Sequence, residues 1–157
     1  MVKTKGYEPE ETVICPCCGA TVPYEVITLD SNQVKYIENK LNAYDKAHIK
    51  YTIDGEISLG IVKDLHLIAG VNACMTAYHI LYVSTLFVEK PYRNKGVGTF
   101  LMNKLENEAK KLGANLIRLD SFNWQGAHFY EKIGYKKVGE YRSEKDLFSE
   151  YFFLKEI

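Results

Sequence analysis

Apolar residues recur at two periods along this chain, and the places where one gives way to the other mark its elements. Residues 1–21 read as a polar arm ending in a cysteine-rich turn, and residues 22–29 are rich in β-formers, as a first strand would be. Asp30 or Ser31 can cap a helix over about 32–47, where Val34, Ile37, Leu41 and Tyr44 make one apolar stripe at spacings of three and four. Such a stripe predicts a helix lying on a sheet. Asp54-Gly55 is a turn signal between strand-like runs at 51–53 and 57–62. Further β-rich stretches near 66–77 and 80–88 are interrupted around Tyr78 and His79.

In the second half Val97, Leu101, Leu105, Ala109 and Leu112 share one helical face between Gly96 and Gly113, and Gly113 is placed to end the helix in the left-handed conformation. Residues 115–121 then read as a strand. Asn123 can cap a short helix to Ile133, with Gly134 ending it, and 135–141 and 150–154 read as two strands joined by the charged loop 142–146. This order predicts an α+β fold, a mixed sheet crossed by helices. Its 157 residues suit one sizeable core, so the expected organisation is an arm over 1–30 and a single domain over 31–157.

Composition narrows the function classes. The chain is 46% hydrophobic and 25% charged, which is globular rather than disordered. Twenty basic and twenty acidic side chains cancel to a formal charge of zero, so no field recruits nucleic acid or an anionic membrane. No apolar run approaches the ~20 residues that span a bilayer, and the first residues lack the apolar stretch of a signal peptide. The expected setting is the cytoplasm, with no nucleic-acid or membrane partner. Cys15, Cys17 and Cys18 fall within one tetrapeptide, poor spacing for a disulfide framework. The segment CPCCGA contains CxxCG, the turn that aims two thiolates at one metal in zinc ribbons, but the second pair that a ribbon needs is missing. No metal is therefore assigned within one chain. The further ligands would be Cys17, too close in sequence to add easily, Cys74, a histidine, or the same turn in a homodimer, and the alternative is a reduced structural turn.

The most informative stretch is Leu86-Phe87-Val88-Glu89-Lys90-Pro91-Tyr92-Arg93-Asn94-Lys95-Gly96-Val97-Gly98-Thr99, a strand leading through a turn into the long helix. Glycines at 96 and 98 remove side chains where a ligand could approach the first helical turn, leaving amide donors at the positive end of the helix dipole. Arg93 and Lys95 add charge that favours a pyrophosphate. The pattern lacks the GKS or GKT ending of a Walker loop and the GxGxxG of a dinucleotide fold. Farther on, Asn123 precedes Tyr130 by seven residues, on a short helix ending in Gly134-Tyr135.

These two signatures, RxxGxG at Arg93, Gly96 and Gly98 and the Asn123 to Tyr135 segment, resemble the GNAT superfamily of acetyl-CoA-dependent N-acetyltransferases over roughly residues 32–155. The resemblance implies a mostly antiparallel sheet of six to seven strands, splayed at the cofactor site and flanked by helices. It implies that the pantetheine arm of acetyl-CoA pairs with main chain at Leu86, Phe87 and Val88. The pyrophosphate would sit on Asn94, Lys95, Gly96, Val97, Gly98 and Thr99, with Arg93 heading the turn and Asn123 reaching the cofactor from the next strand. Tyr130 matches the tyrosine taken as the general acid that protonates the leaving thiolate.

The chain departs from the family where many members carry a carboxylate base. Ser84 and Arg118 stand at the inward positions of the fourth and fifth strands, leaving Glu56, Asp120, His79, His128 and a water relay through Ser84 as alternatives. The implied reaction is transfer of the acetyl group to a primary amine, with a small-molecule acceptor favoured by the neutral charge and aromatic-rich tail. The acceptor pocket is expected from residues 65–79 and 142–148. The rival function is an acyl-CoA-binding or partner-binding module with little turnover.

Overall fold

The computed structural model describes residues 13–22, 27–50 and 53–157. These fall into two compact units, one running to Asp45 and one from Lys46 to Ile157.

In the first unit two short strands, β1 (Val13–Ile14) and β2 (Thr21–Val22), pair antiparallel around the cysteine turn. The Cys15 amide donates to Ala20 O and the Gly19 amide to Cys15 O, each at 2.9 Å, and Gly19 takes φ +67, a conformation that glycine adopts without steric cost. Of the strand expected over 22–29, Val22 belongs to β2, 27–29 have no regular structure, and 23–26 lie outside the described residues. Helix α1 (Ser31–His48) follows, close to its expected limits. Asp30 caps it as expected, its Oδ1 accepting the amides of Asn32 and Gln33 while Gln33 Oε1 accepts the Asp30 amide, a reciprocal box. Its apolar stripe of Val34, Ile37, Leu41 and Tyr44 runs along one face of the helix.

The second unit is a six-stranded sheet in the order β3-β4-β5-β6-β8-β7. Its strands are β3 (Glu56–Lys63), β4 (His66–Met75), β5 (Ile80–Val88), β6 (Leu116–Phe122), β7 (Lys136–Ser143) and β8 (Phe148–Glu156). Every neighbouring pair is antiparallel except β5 and β6. The parallel pair needs a crossover, and α2 (Val97–Leu112) supplies it. The Asp54-Gly55 signal does not form a hairpin. Residues 53–55 lead into β3, with Gly55 O accepting the Met75 amide at 2.8 Å, and the expected partner run at 51–53 lies partly outside the described residues. The hairpin turns that join β3, β4 and β5 are Asp64-Leu65 and Tyr78-His79, all four residues at φ between 49° and 65°.

The core lies where α2 crosses β3, β4 and β5. Leu101, Met102, Leu105 and Ala109 of α2 are buried against Ile57, Val71, Ala73, Leu81, Val83 and Ile117, with Val97 and Leu112 partly buried at the ends of the same face. Burying each large apolar side chain contributes about 2 kcal/mol. Gly113 ends α2 at φ +90, its amide and that of Ala114 closing back on the last turn. Among the described residues, no helix is long and apolar enough to cross a membrane.

Candidate active site

Strands β5 and β6 begin as neighbours and then part. Their parallel ladder covers only Ile80, Leu81 and Tyr82 opposite Leu116, Ile117 and Arg118, so from residue 83 onward β5 is paired to β4 alone. A bulge sharpens the divergence, because the register passes from Asn72 opposite Thr85 to Ala73 opposite Val83 and leaves Ser84 as the extra residue. A cleft of about 800 Å³ opens between the separated strands. One wall is residues 83–88 of β5, another is Asp120 and Ser121 of β6, and the first turn of α2 and the start of α3 (Ala127–Lys132) close the ends.

The glycine loop is held to the strand that precedes it. Arg93 Nε donates to Val88 O at 2.8 Å, and its guanidinium lies 5.5 Å over the Phe87 ring. The two glycines serve different ends. Gly96 is the N-cap of α2 at φ +79 and a Cβ there would meet only open space, so its backbone angle is what favours glycine. A Cβ on Gly98 would lie 3.2 Å from the Phe129 ring, so this glycine lets α3 approach α2. Leu86, Phe87, Val88, Arg93, Asn94, Gly96, Val97, Gly98 and Thr99 all line the cleft, and Lys95 does not. Asn123 does not line it either. Its Oδ1 accepts the Ser149 amide at 3.1 Å and its own amide donates to Ser149 O, so it ties the end of β6 to the start of β8 rather than reaching the cleft. For the same reason α3 is not capped by Asn123 but starts three residues later, behind Gly126.

Tyr130 reaches the cleft from α3, packed against Phe129, Tyr135 and Phe153. Burial, with the negative charge of Asp120 adding to it, pushes its phenol up to about 12. Arg118 and Asp120 occupy the same face of β6, but Arg118 belongs to the last paired rung and lies over the Tyr82 ring at 4.8 Å, whereas Asp120 is one step into the open part. Asp120 is therefore the carboxylate in the cleft, and the reading that placed Arg118 there is corrected by two residues. Its Oδ1 accepts the Tyr82 hydroxyl at 2.8 Å, which raises the Tyr82 phenol first through that bond and then through burial. Ser84 lines the opposite wall with its hydroxyl donating to Asn72 O at 3.2 Å. Glu56, His79 and His128 are not among the lining residues; the His79 ring bonds Gly113 O and His128 pairs with Glu131. Of the segments expected to shape the acceptor pocket, 65–79 does not line the cleft, while Phe148 of the other packs edge-on against Trp124, which does.

Residues 54–137 match the acetyltransferase (GNAT) domain model. An acetyltransferase of Agrobacterium fabrum is 30% identical over 110 residues, covering 70% of this chain and 80% of that one. The chain belongs to the GNAT acetyltransferase family. The crystal structure of an acetyltransferase from Bacillus cereus superposes with a TM-score of 0.78 at 28% identity, over 85% of this chain and 98% of that one. An aminoglycoside 6′-N-acetyltransferase complexed with coenzyme A shares the fold at 19% identity and a TM-score of 0.59, over 79% and 85% of the two chains. The splayed six-stranded sheet of this GNAT protein is thus the family's fold. Trp124 and Phe129 belong to its cleft without having been singled out in the sequence, and Asp120, named there only as one alternative base, shares the face of β6 that carries Arg118.

Proposed function

We propose that this GNAT protein transfers the acetyl group of acetyl-CoA to the primary amine of a small molecule, both bound together in the cleft between β5 and β6. The observation that carries the reading is the convergence there of a one-sided strand edge, the amide end of the sixteen-residue helix α2, a buried phenol and a carboxylate. These fit the co-substrate part by part. Residues 83–88 offer main-chain groups to an amide-bearing arm, and the amides of residues 94–99, opened by Gly96, suit a pyrophosphate. Arg93 contributes charge but is also the brace between loop and strand.

Acetyl-CoA supplies an activated thioester carbonyl. A backbone N–H at the end of β5 near Val88 holds the oxygen where negative charge develops; as the C–N bond forms and the C–S bond breaks, Tyr130 donates its proton to the departing sulfur and the proton released by the amine nitrogen restores the phenol through water. Asp120 faces the acceptor and supplies a counter-charge for its ammonium group, oriented by the Tyr82 hydroxyl. Trp124, stacked on Phe122 with centroids 4.6 Å apart, forms an apolar rim for the acceptor's carbon skeleton.

The test is thiol release from acetyl-CoA across a panel of small primary amines. Turnover is expected with at least one amine, and Asp120→Asn should raise the amine KM tenfold or more while leaving the acetyl-CoA KM unchanged. Tight acetyl-CoA binding with no turnover on any amine, peptide amines included, would replace this reading by the binding-module alternative.

A further inference from the structure

The cysteine turn is unused by the chemistry above, and its geometry has the form of half a metal site. Cys15 and Cys18 stand at the CxxC spacing of structural zinc sites, on a turn closed by the Cys15–Ala20 and Gly19–Cys15 hydrogen bonds. Cys17 has a different relation to Cys15. Their sulfurs lie 3.1 Å apart, whereas two thiolates bound to one tetrahedral zinc at 2.3 Å must be about 3.8 Å apart. Cys17 is also adjacent to Cys18 in the chain, so the CxxC pair is Cys15 and Cys18 and the turn supplies two ligands. Among the described residues, no group of three or more histidine, cysteine, aspartate or glutamate side chains is placed to hold a metal, and the one cysteine outside the turn, Cys74, is not in such a group.

A structural zinc needs four ligands, and a turn with two can be completed by its own copy. We propose that Cys15 and Cys18 bind zinc as thiolates and that the other two thiolates come from the same turn of a second copy of this chain, so that one zinc joins two chains. Each bound thiol loses its proton on binding.

Full-length protein prepared under reducing conditions with zinc chloride, then freed of excess metal, should carry about half a zinc per chain and have the mass of a dimer by light scattering. Removing zinc with a chelator should give monomer, and zinc alone should restore the dimer. Cys15→Ser and Cys18→Ser should each lose metal and dimer together, while Cys17→Ser and Cys74→Ser keep both. Cobalt in place of zinc reads the ligands without any substitution, and should give the charge-transfer bands of four thiolates. One zinc per chain in a monomer, no zinc at all, zinc retained by Cys15→Ser, or a cobalt spectrum of nitrogen and oxygen ligands would each overturn the proposal.

Discussion

Tyr130 is one of twelve tyrosines, and its surroundings set it apart from most of them. It is 8% exposed and its phenol is pushed up to about 12, chiefly by burial and then by Asp120. A phenol held neutral in this way remains a proton donor at every working pH. If it protonates the leaving thiolate, Tyr130→Phe should lower kcat by ~10²-fold with little change in acetyl-CoA affinity. A kcat within twofold of wild type would show that the sulfur is protonated otherwise. The same shift bears on stability. The folded value lies above the unfolded value near 10, so the neutral phenol stabilises the fold fully below pH 10, and the contribution is lost as pH climbs to about 12. Two pK units correspond to about 3 kcal/mol. The position of Tyr130 was legible from its spacing to Asn123, but the neighbours that define its environment come from β6 and β8, and no local pattern reports those.

The elements around the cleft are joined by a polar clamp at partly buried positions. Lys155 of β8 donates to both oxygens of Glu106 on α2, at 2.7 and 2.9 Å, and to Ile133 O at the end of α3, while the Tyr135 hydroxyl donates to Glu106 at 3.3 Å. One ion pair thus fixes α2 and α3 to the sheet, and with them the two ends of the cleft. Lys155→Met should cost about 3 kcal/mol, because it leaves the Glu106 carboxylate desolvated without its cation. The double variant Glu106→Leu with Lys155→Met should recover most of that loss in chemical denaturation. A double variant less stable than Lys155→Met would show that the clamp acts through specific geometry and not through the unpaired charge. At this scale the long-range partners escaped sequence reading while local punctuation did not. The limits of α2 were legible because Gly96 and Gly113 both need positive φ. The Asp64-Leu65 and Tyr78-His79 turns use the same backbone region with residues that give no glycine signal, and a helix start was read at Asn123 because its side chain is spent on a strand 26 residues away.

For the molecule as a whole, the pH dependence of catalysis joins these parts. Formal charge is zero and the cleft's acidic group is Asp120, so the cationic acceptor proposed above would be drawn by one local charge rather than by a global field. An opposite charge nearby favours the charged form of an amine, so the Asp120 carboxylate holds an ammonium group in place. The attacking species is the free amine, whose fraction grows tenfold per pH unit below its own pKa near 10. On the alkaline side the donor that would be lost is Tyr130, and it stays protonated to about 12. Consequently kcat/KM should rise with pH to at least about 8.5, without a descending limb in that range. Asp120→Asn should lower the whole curve through the amine KM without moving its slope, whereas Glu56→Gln and His128→Ala, whose side chains lie outside the cleft, should each cost less than tenfold. A plateau beginning near pH 6.5 that vanishes in Asp120→Asn would instead make Asp120 the base, and a fall in rate below pH 9 would show that a donor other than Tyr130 serves the sulfur.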